Sequence, residues 1–197
     1  MKNERLMKQM QFIVEIDKLK KVFRQNIVIG TIRNENDAEH SWHLAIMAML
    51  LSEYSLEKNI DILKVIKLII VHDLVEIDAG DTFCYDEKAQ EDKAEREQKA
   101  ADRIFNILPD DQAEEIFSLW KEFEERKTTE AKFASCMDRL QPLLLNYSTE
   151  GYTWQKPEVS SKKVLERNRL LEENAPELWD YAKEVIEDSI KRGFLRR

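Results

Sequence analysis

The chain has 197 residues, 43% hydrophobic and 36% charged, with a formal net charge of −8. One domain over 1–197 with a sizeable core fits that length, and the acidic balance argues against nucleic-acid binding by bulk electrostatics. Four glycines and four prolines are too few for the turns of a β-sandwich, and long stretches of Leu, Ile, Ala, Glu and Lys favour helices, so the class is mostly α.

In chain order, the spacing of Leu6, Met10, Ile13, Ile16 and Leu19 predicts a first helix over 6–24. Gly30 interrupts, and Asn36 or Asp37 caps a second helix to about Tyr54, with Leu44, Met47, Ala48, Leu51 and Tyr54 on one face. Asp61 caps a third, DILKVIKLIIVHDLVEI, which is apolar on most sides, therefore central, and ends near Gly80. A charged helix follows over 86–107 on a narrow stripe of Ala94, Ala101, Ile104, Phe105 and Leu108, and its charges read as a solvated face. Pro109 starts another helix through Phe123. Thr128 or Thr129 caps the helix carrying Phe133, Ala134, Met137, Leu140, Leu144 and Leu145, which should bend at Pro142. "STEGYTWQKP" is a loop, two helices split at Asn174-Ala175-Pro176 follow, and a basic tail closes the chain. Trp42, Trp120, Trp154 and Trp179 read as packing residues.

Cys84 and Cys136 make no disulfide framework and suit a reducing cytosol. The polar start, MKNERLMKQM, lacks the apolar core of a signal peptide. The apolar run at 68–71 is too short to span a bilayer. A cytoplasmic protein that engages neither membrane nor nucleic acid is expected.

All three histidines fall in two carboxylate-rich segments, "NENDAEHSWH" at 34–43 and "VHDLVEIDAGD" at 71–81. On a helix His40 and His43 share a face, and His72 lies one turn from Glu76. Imidazole with carboxylate is the donor set of borderline divalent metals such as Zn, Mn, Co or Fe. Burying His72, Asp73 and Glu76 on the most apolar helix is costly without a partner such as a cation. A lone His-Asp pair reads better as a hydrogen-bonded core histidine, but the grouping of all three favours a metal. Asp138, at the edge of a buried face and four residues before Pro142, is the candidate fourth ligand.

The order His, His-Asp, distant Asp resembles the HD-domain metal phosphohydrolases. "AEHSWHLAIMAML", "HDLVEIDAGD" and "MDRLQPLLLN" are similar to the YfbR-like 5′-deoxynucleotidase group, over roughly residues 12–170. The resemblance implies an all-α, single HD-domain helical bundle. It implies one divalent ion per chain on His40, His72, Asp73 and Asp138, with His43 a supporting or spectator residue. Glu76 and Asp81 match the family's catalytic acids, alongside Asp73. Loop 81–84, with Thr82 and Cys84, matches a nucleotide-contacting segment, and Arg24 a phosphate-side arginine. Arg33 is a second candidate cation near the pocket. Where the best-known members have Arg-Trp before the motif helix, with the tryptophan by the ribose, this chain reads Arg24-Gln25, so a weaker deoxy preference is expected. The implied reaction is hydrolysis of nucleoside 5′-monophosphates, preferably deoxy, with a homodimer as assembly. The rivals are an HD phosphohydrolase of triphosphates or cyclic nucleotides, and a non-enzymatic regulatory protein with a structural metal.

Overall fold

The computed structural model describes residues 3–156 and 159–197, so Met1 and Lys2 of the polar start and Pro157 of the expected loop lie outside the described residues. Helix α1 (Glu4–Ile16) starts on Asn3, whose side chain accepts from the Leu6 amide. It buries Phe12 and leaves Leu6, Met10 and Ile13 exposed, so the predicted stripe faces outward. Nor does the helix reach residue 24. The chain tightens into a 3-10 turn (Asp17–Lys21) and extends as β1 (Phe23–Ile27), which pairs antiparallel with β2 (Asn34–Asn36). Val22, Phe23 and the run Ile27, Val28, Ile29 favour extended backbone, and Gly30 turns the hairpin at φ +77°. Arg24 and Gln25 therefore ride on a strand, not a helix.

Helix α2 (Asp37–Leu51) opens with a capping box: Asn36 accepts from the Glu39 amide, and Glu39 accepts from the Asn36 amide. Asp61 caps α3 (Ile62–His72), after which Asp73–Val75 tightens into a 3-10 turn before the short α4 (Glu76–Ala79). The predicted charged helix is two pieces, α5 (Glu87–Gln90) and α6 (Lys93–Phe105). Pro109 caps α7 (Asp110–Glu125), and Thr128 caps α8 (Thr129–Ser148), which continues as one helix past Pro142. Three helices close the chain: α9 (Ser161–Asn168), α10 (Leu170–Asn174) and α11 (Pro176–Lys191).

Helix α3 is central, packed against α2, α7 and α8, and α9 to α11 lie over α8. Leu44, Val65, Leu68, Ile69, Met137 and Leu140 are core there. A second apolar cluster joins Phe12, Leu19, Leu74, Val75, Ile104 and Phe105. The end of α3 lies between the two clusters, so polar groups placed there leave water behind. Trp120, Trp154 and Trp179 are buried as expected; Trp42 is 67% exposed and packs no core. Among the described residues no helix is long and apolar enough to cross a membrane.

Candidate active site

Three helices bring the predicted ligands together: α2 supplies His40, the end of α3 supplies His72 and Asp73, and α8 supplies Asp138. His40 Nε2 lies 3.2 Å from Asp138 Oδ1 and 3.9 Å from Asp73 Oδ2. His72 Nε2 lies 3.0 Å from Asp73 Oδ1 and 4.0 Å from Asp138 Oδ1. His40, His72 and Asp73 each offer a donor atom within 4.8 Å of the others, and all three are buried.

Each imidazole is oriented from behind. His72 Nδ1 is 2.6 Å from the Ile69 carbonyl and donates to it. His40 Nδ1 is 3.1 Å from Gln141 Oε1. The Gln141 amide is held that way because its Nε2 donates to Glu35 Oε1 at 2.7 Å and lies 3.3 Å from His43 Nδ1. Both Nε2 atoms then face carboxylate oxygens, and among the described residues His72 Nε2 is buried with no hydrogen-bond partner. Lone pairs packed against anionic oxygens need a cation or a proton between them. The set is imidazole and carboxylate, with its outer nitrogens already bonded, and it fits a borderline divalent ion.

The electrostatics carry the same strain. Burial, then Asp73, Asp37 and Asp81, push the Glu76 carboxyl well above its ordinary range. Burial also raises Glu35 and Asp37, each to about 7. Burial and Arg24 push His40 down to about 4. Burial opposes charge on His72, but Asp73 and Asp138 outweigh it and raise the imidazole to about 9. Against burial, His72 and Arg24 pull Asp73 down, and the two histidines pull Asp138 down. Arg24 lies among four carboxylates: its Nη1 is 3.3 Å from Asp73, 3.5 Å from Asp37 and 4.0 Å from Asp81, and its Nε is 3.9 Å from Glu35.

Two cavities meet here. The acidic one, of empty volume about 760 Å³, is lined by His72, Asp73, Glu76, Asp81 and Asp138 together with Lys93 and Glu97. The other, about 540 Å³, takes in Gln25, Phe83, Tyr85, Leu143 and Trp154. Arg24, Asp81, Thr82, Cys84, Arg139 and Arg167 line both. Gln25 Oε1 accepts from Lys156 Nζ, which sits 4.4 Å from the centre of the Phe83 ring. Thr82 Oγ1 accepts from Arg96 at 3.2 Å.

Arg33 is not part of this group. It pairs with Glu39 on the surface, both guanidinium nitrogens at 2.9 Å, and lines neither cavity. The solvated face expected of the charged helix also needs correction, because Lys93 and Glu97 turn inward. Glu35, Asp37, Arg139, Gln141 and Arg167 were not foreseen. The first two had a signal, since they stand in the acidic run just before His40. Gln141 stands one helical turn after Asp138, a spacing that could have found it. Arg139 is adjacent to Asp138, and Arg167 has no mark in the sequence at all.

A model of the HD domain matches residues 16–179. The chain belongs to the HD-domain family. The human protein 5′-deoxynucleotidase HDDC2 is 32% identical over 136 residues, 68% of this chain and 65% of that protein. Its Dictyostelium discoideum counterpart is 36% identical over 120 residues, 59% of this chain and 63% of its own length. The match to these HD-domain relatives thus spans a little under two thirds of their length. The crystal structure of a "predicted metal-dependent phosphohydrolase" from Magnetospirillum magnetotacticum is 48% identical, with a TM-score of 0.91, over 98% of this chain and 96% of that one. A conserved hypothetical protein from Pyrococcus furiosus is 27% identical with a TM-score of 0.64, over 92% of this HD-domain chain and 99% of that one.

Proposed function

We propose that this HD-domain protein hydrolyses nucleoside 5′-monophosphates, deoxy forms included, to nucleoside and phosphate in a metal-dependent reaction. The observation that carries the reading is the inward pair of Nε2 atoms of His40 and His72 set against Asp73 and Asp138 beside the neutral-leaning acid Glu76. Relatives called 5′-deoxynucleotidase support the substrate class. His40, His72, Asp73 and Asp138 would hold one divalent ion per chain, of the Co, Mn, Zn or Fe type, whose contribution is Lewis acidity toward water and phosphoryl oxygen. Asp73 also orients the attacking water. Glu76, whose buried carboxyl holds its proton more tightly than an exposed one, gives that proton to the leaving 5′-oxygen and recovers it from the attacking water. Asp81, on the wall common to both cavities, stands where the sugar meets the phosphate. The aromatic cavity, with Phe83, Tyr85 and Trp154, takes the nucleoside, and Thr82 and Cys84 line its path to the acids.

The test is phosphate release from ribo- and deoxynucleoside mono- and triphosphates after EDTA treatment and add-back of single metals. Activity on monophosphates restored by a divalent ion supports the reading; full activity in metal-free protein, or hydrolysis of triphosphates alone, ends it.

A homodimer and a cytoplasmic location belong to the same proposal. Helices α1, α2 and α3 each leave apolar side chains in solvent, among them Met7, Val14, Trp42, Leu50, Leu63 and Ile70, which a second copy of the chain could cover. Light scattering on the wild type and on Trp42→Glu with Leu50→Glu decides it: a dimer dissociated by the double change is expected, and a wild-type monomer refutes it.

A further inference from the structure

We propose that Arg139 and Arg167 form the anion-binding pair that takes the phosphoryl oxygens of the ligand; the assignment rests on the phosphomonoester reading above. Arg24, the arginine that resemblance put at the phosphate, is already compensated by Glu35, Asp37, Asp73 and Asp81. Arg139 and Arg167 have no such partners: among the described residues neither guanidinium makes an ion pair with a carboxylate, although charged pairs are common elsewhere in the chain. Arg139 donates through Nη1 to the Arg167 carbonyl at 2.9 Å, and its buried Nε has no hydrogen-bond partner among the described residues.

The two reach the site from different elements. Arg139 follows Asp138 on α8, and Arg167 sits in the last turn of α9. Two recessed guanidinium groups that line the same wall without a carboxylate partner repel one another. An anion between them removes that cost and satisfies the orphaned Nε–H. A guanidinium presents a planar fork of donors suited to phosphate oxygens.

Position selects which anion. Both arginines line the acidic cavity and the aromatic cavity alike. A ligand with its base against Phe83 and Trp154 and its phosphorus near Asp73 and Asp138 spans both cavities and lays its phosphoryl group along the wall these arginines share. A chain of net charge −8 needs such a local positive pair to hold a dianion beside six buried or half-buried acids.

The experiment measures the dissociation constant of inorganic phosphate for Mn-loaded protein by calorimetry, in wild type, Arg139→Gln, Arg167→Gln, the double variant and the two lysine variants. Metal content and circular dichroism are followed in each. Loss of a charge-assisted hydrogen bond predicts affinity about tenfold weaker or more in the double variant, with metal content unchanged and partial rescue by lysine. With dAMP as substrate, the change should appear in KM more than in kcat. If the double variant does not fold, the single glutamine variants carry the test. Phosphate affinity within about twofold of wild type in folded, metal-loaded variants overturns the assignment, as does a wild type that binds no phosphate. Arginine-dependent phosphate binding in a protein that hydrolyses no monophosphate would keep the site and remove the activity reading. Hydrolysis that is indifferent to both arginines would do the reverse.

Discussion

Glu76 and His72 lie four residues apart, on either side of the 3-10 turn that ends α3. His72 has its Nδ1 committed to a backbone carbonyl and its Nε2 aimed at Asp73 and Asp138, so a cation bound there would take the place of a proton. Glu76 is buried against Asp73, Asp37 and Asp81, so its chemistry is that of a proton carrier. Glu76→Ala should therefore cut turnover by a factor of about 100 or more while metal content stays at the wild-type value. His72→Ala and Asp138→Ala should lose the metal itself. Elemental analysis beside a phosphate-release assay separates the two, and a Glu76 variant that loses metal as readily as the others defeats the division. Gln25 poses a second question at this scale. Its carbonyl is occupied by Lys156 on the wall of the aromatic cavity, where it presents amide polarity rather than a ring. An amide can bond a 2′-hydroxyl that an indole face excludes. The ratio of kcat/KM for dAMP over AMP should be modest in wild type and rise in Gln25→Trp; an unchanged ratio moves sugar discrimination to loop 81–84.

Gly80 shows how an element boundary positions chemistry. It ends α4 at φ 74° and ψ 151°, backbone that a Cβ opposes even though no atom stands within 4 Å of where that Cβ would be. Its amide still bonds the Glu76 carbonyl at 2.8 Å, so the turn ties the proton carrier to Asp81 and the loop beyond. Gly80→Ala should cost about 1–3 kcal/mol of backbone strain and raise KM, read as a lower Tm and a weaker substrate response. A neutral variant would mean that the loop finds its path without this turn. The helices that carry the ligands were legible in the sequence because their signals are local: the Asn36, Asp61 and Thr128 caps, and the apolar spacing of Leu44, Met47 and Ala48. The β1–β2 hairpin was not, since Phe23 pairs with Asn36 across a loop and its upstream residues also read as helix. The direction of α1 was lost for a related reason. Leu6, Met10 and Ile13 keep helical spacing, but spacing cannot say that Phe12 is the residue turned inward. Arg167 comes to the cavity only because α9 folds back over α8, a tertiary event with no local mark.

Across the whole molecule, two apolar clusters enclose a set of acids that exceeds its cations, and the stability of the metal-free protein should report that imbalance. Glu35 and Asp37 titrate near 7 in the fold, against about 4 in an unfolded chain. From pH 8 down to pH 5 the folded state therefore takes up protons that the unfolded state does not, and stability rises as pH falls. His40 acts in the opposite sense. Its pKa is lowered to about 4, so below about 6.5 the unfolded chain gains a proton that the fold refuses. Two raised carboxyls, with Glu76 and His72 raised as well, outweigh one depressed imidazole. The melting temperature of EDTA-treated protein should rise by roughly 5 °C between pH 8 and pH 5, and Glu35→Gln with Asp37→Asn should flatten that slope. With a divalent ion in place the sign reverses, because protonation of the donors releases the ion and its binding energy with it. Melting curves at pH 8, 6.5 and 5, with EDTA and with Mn, read both slopes directly. Parallel slopes in the two conditions would mean that the buried acids are not compensated by a bound cation.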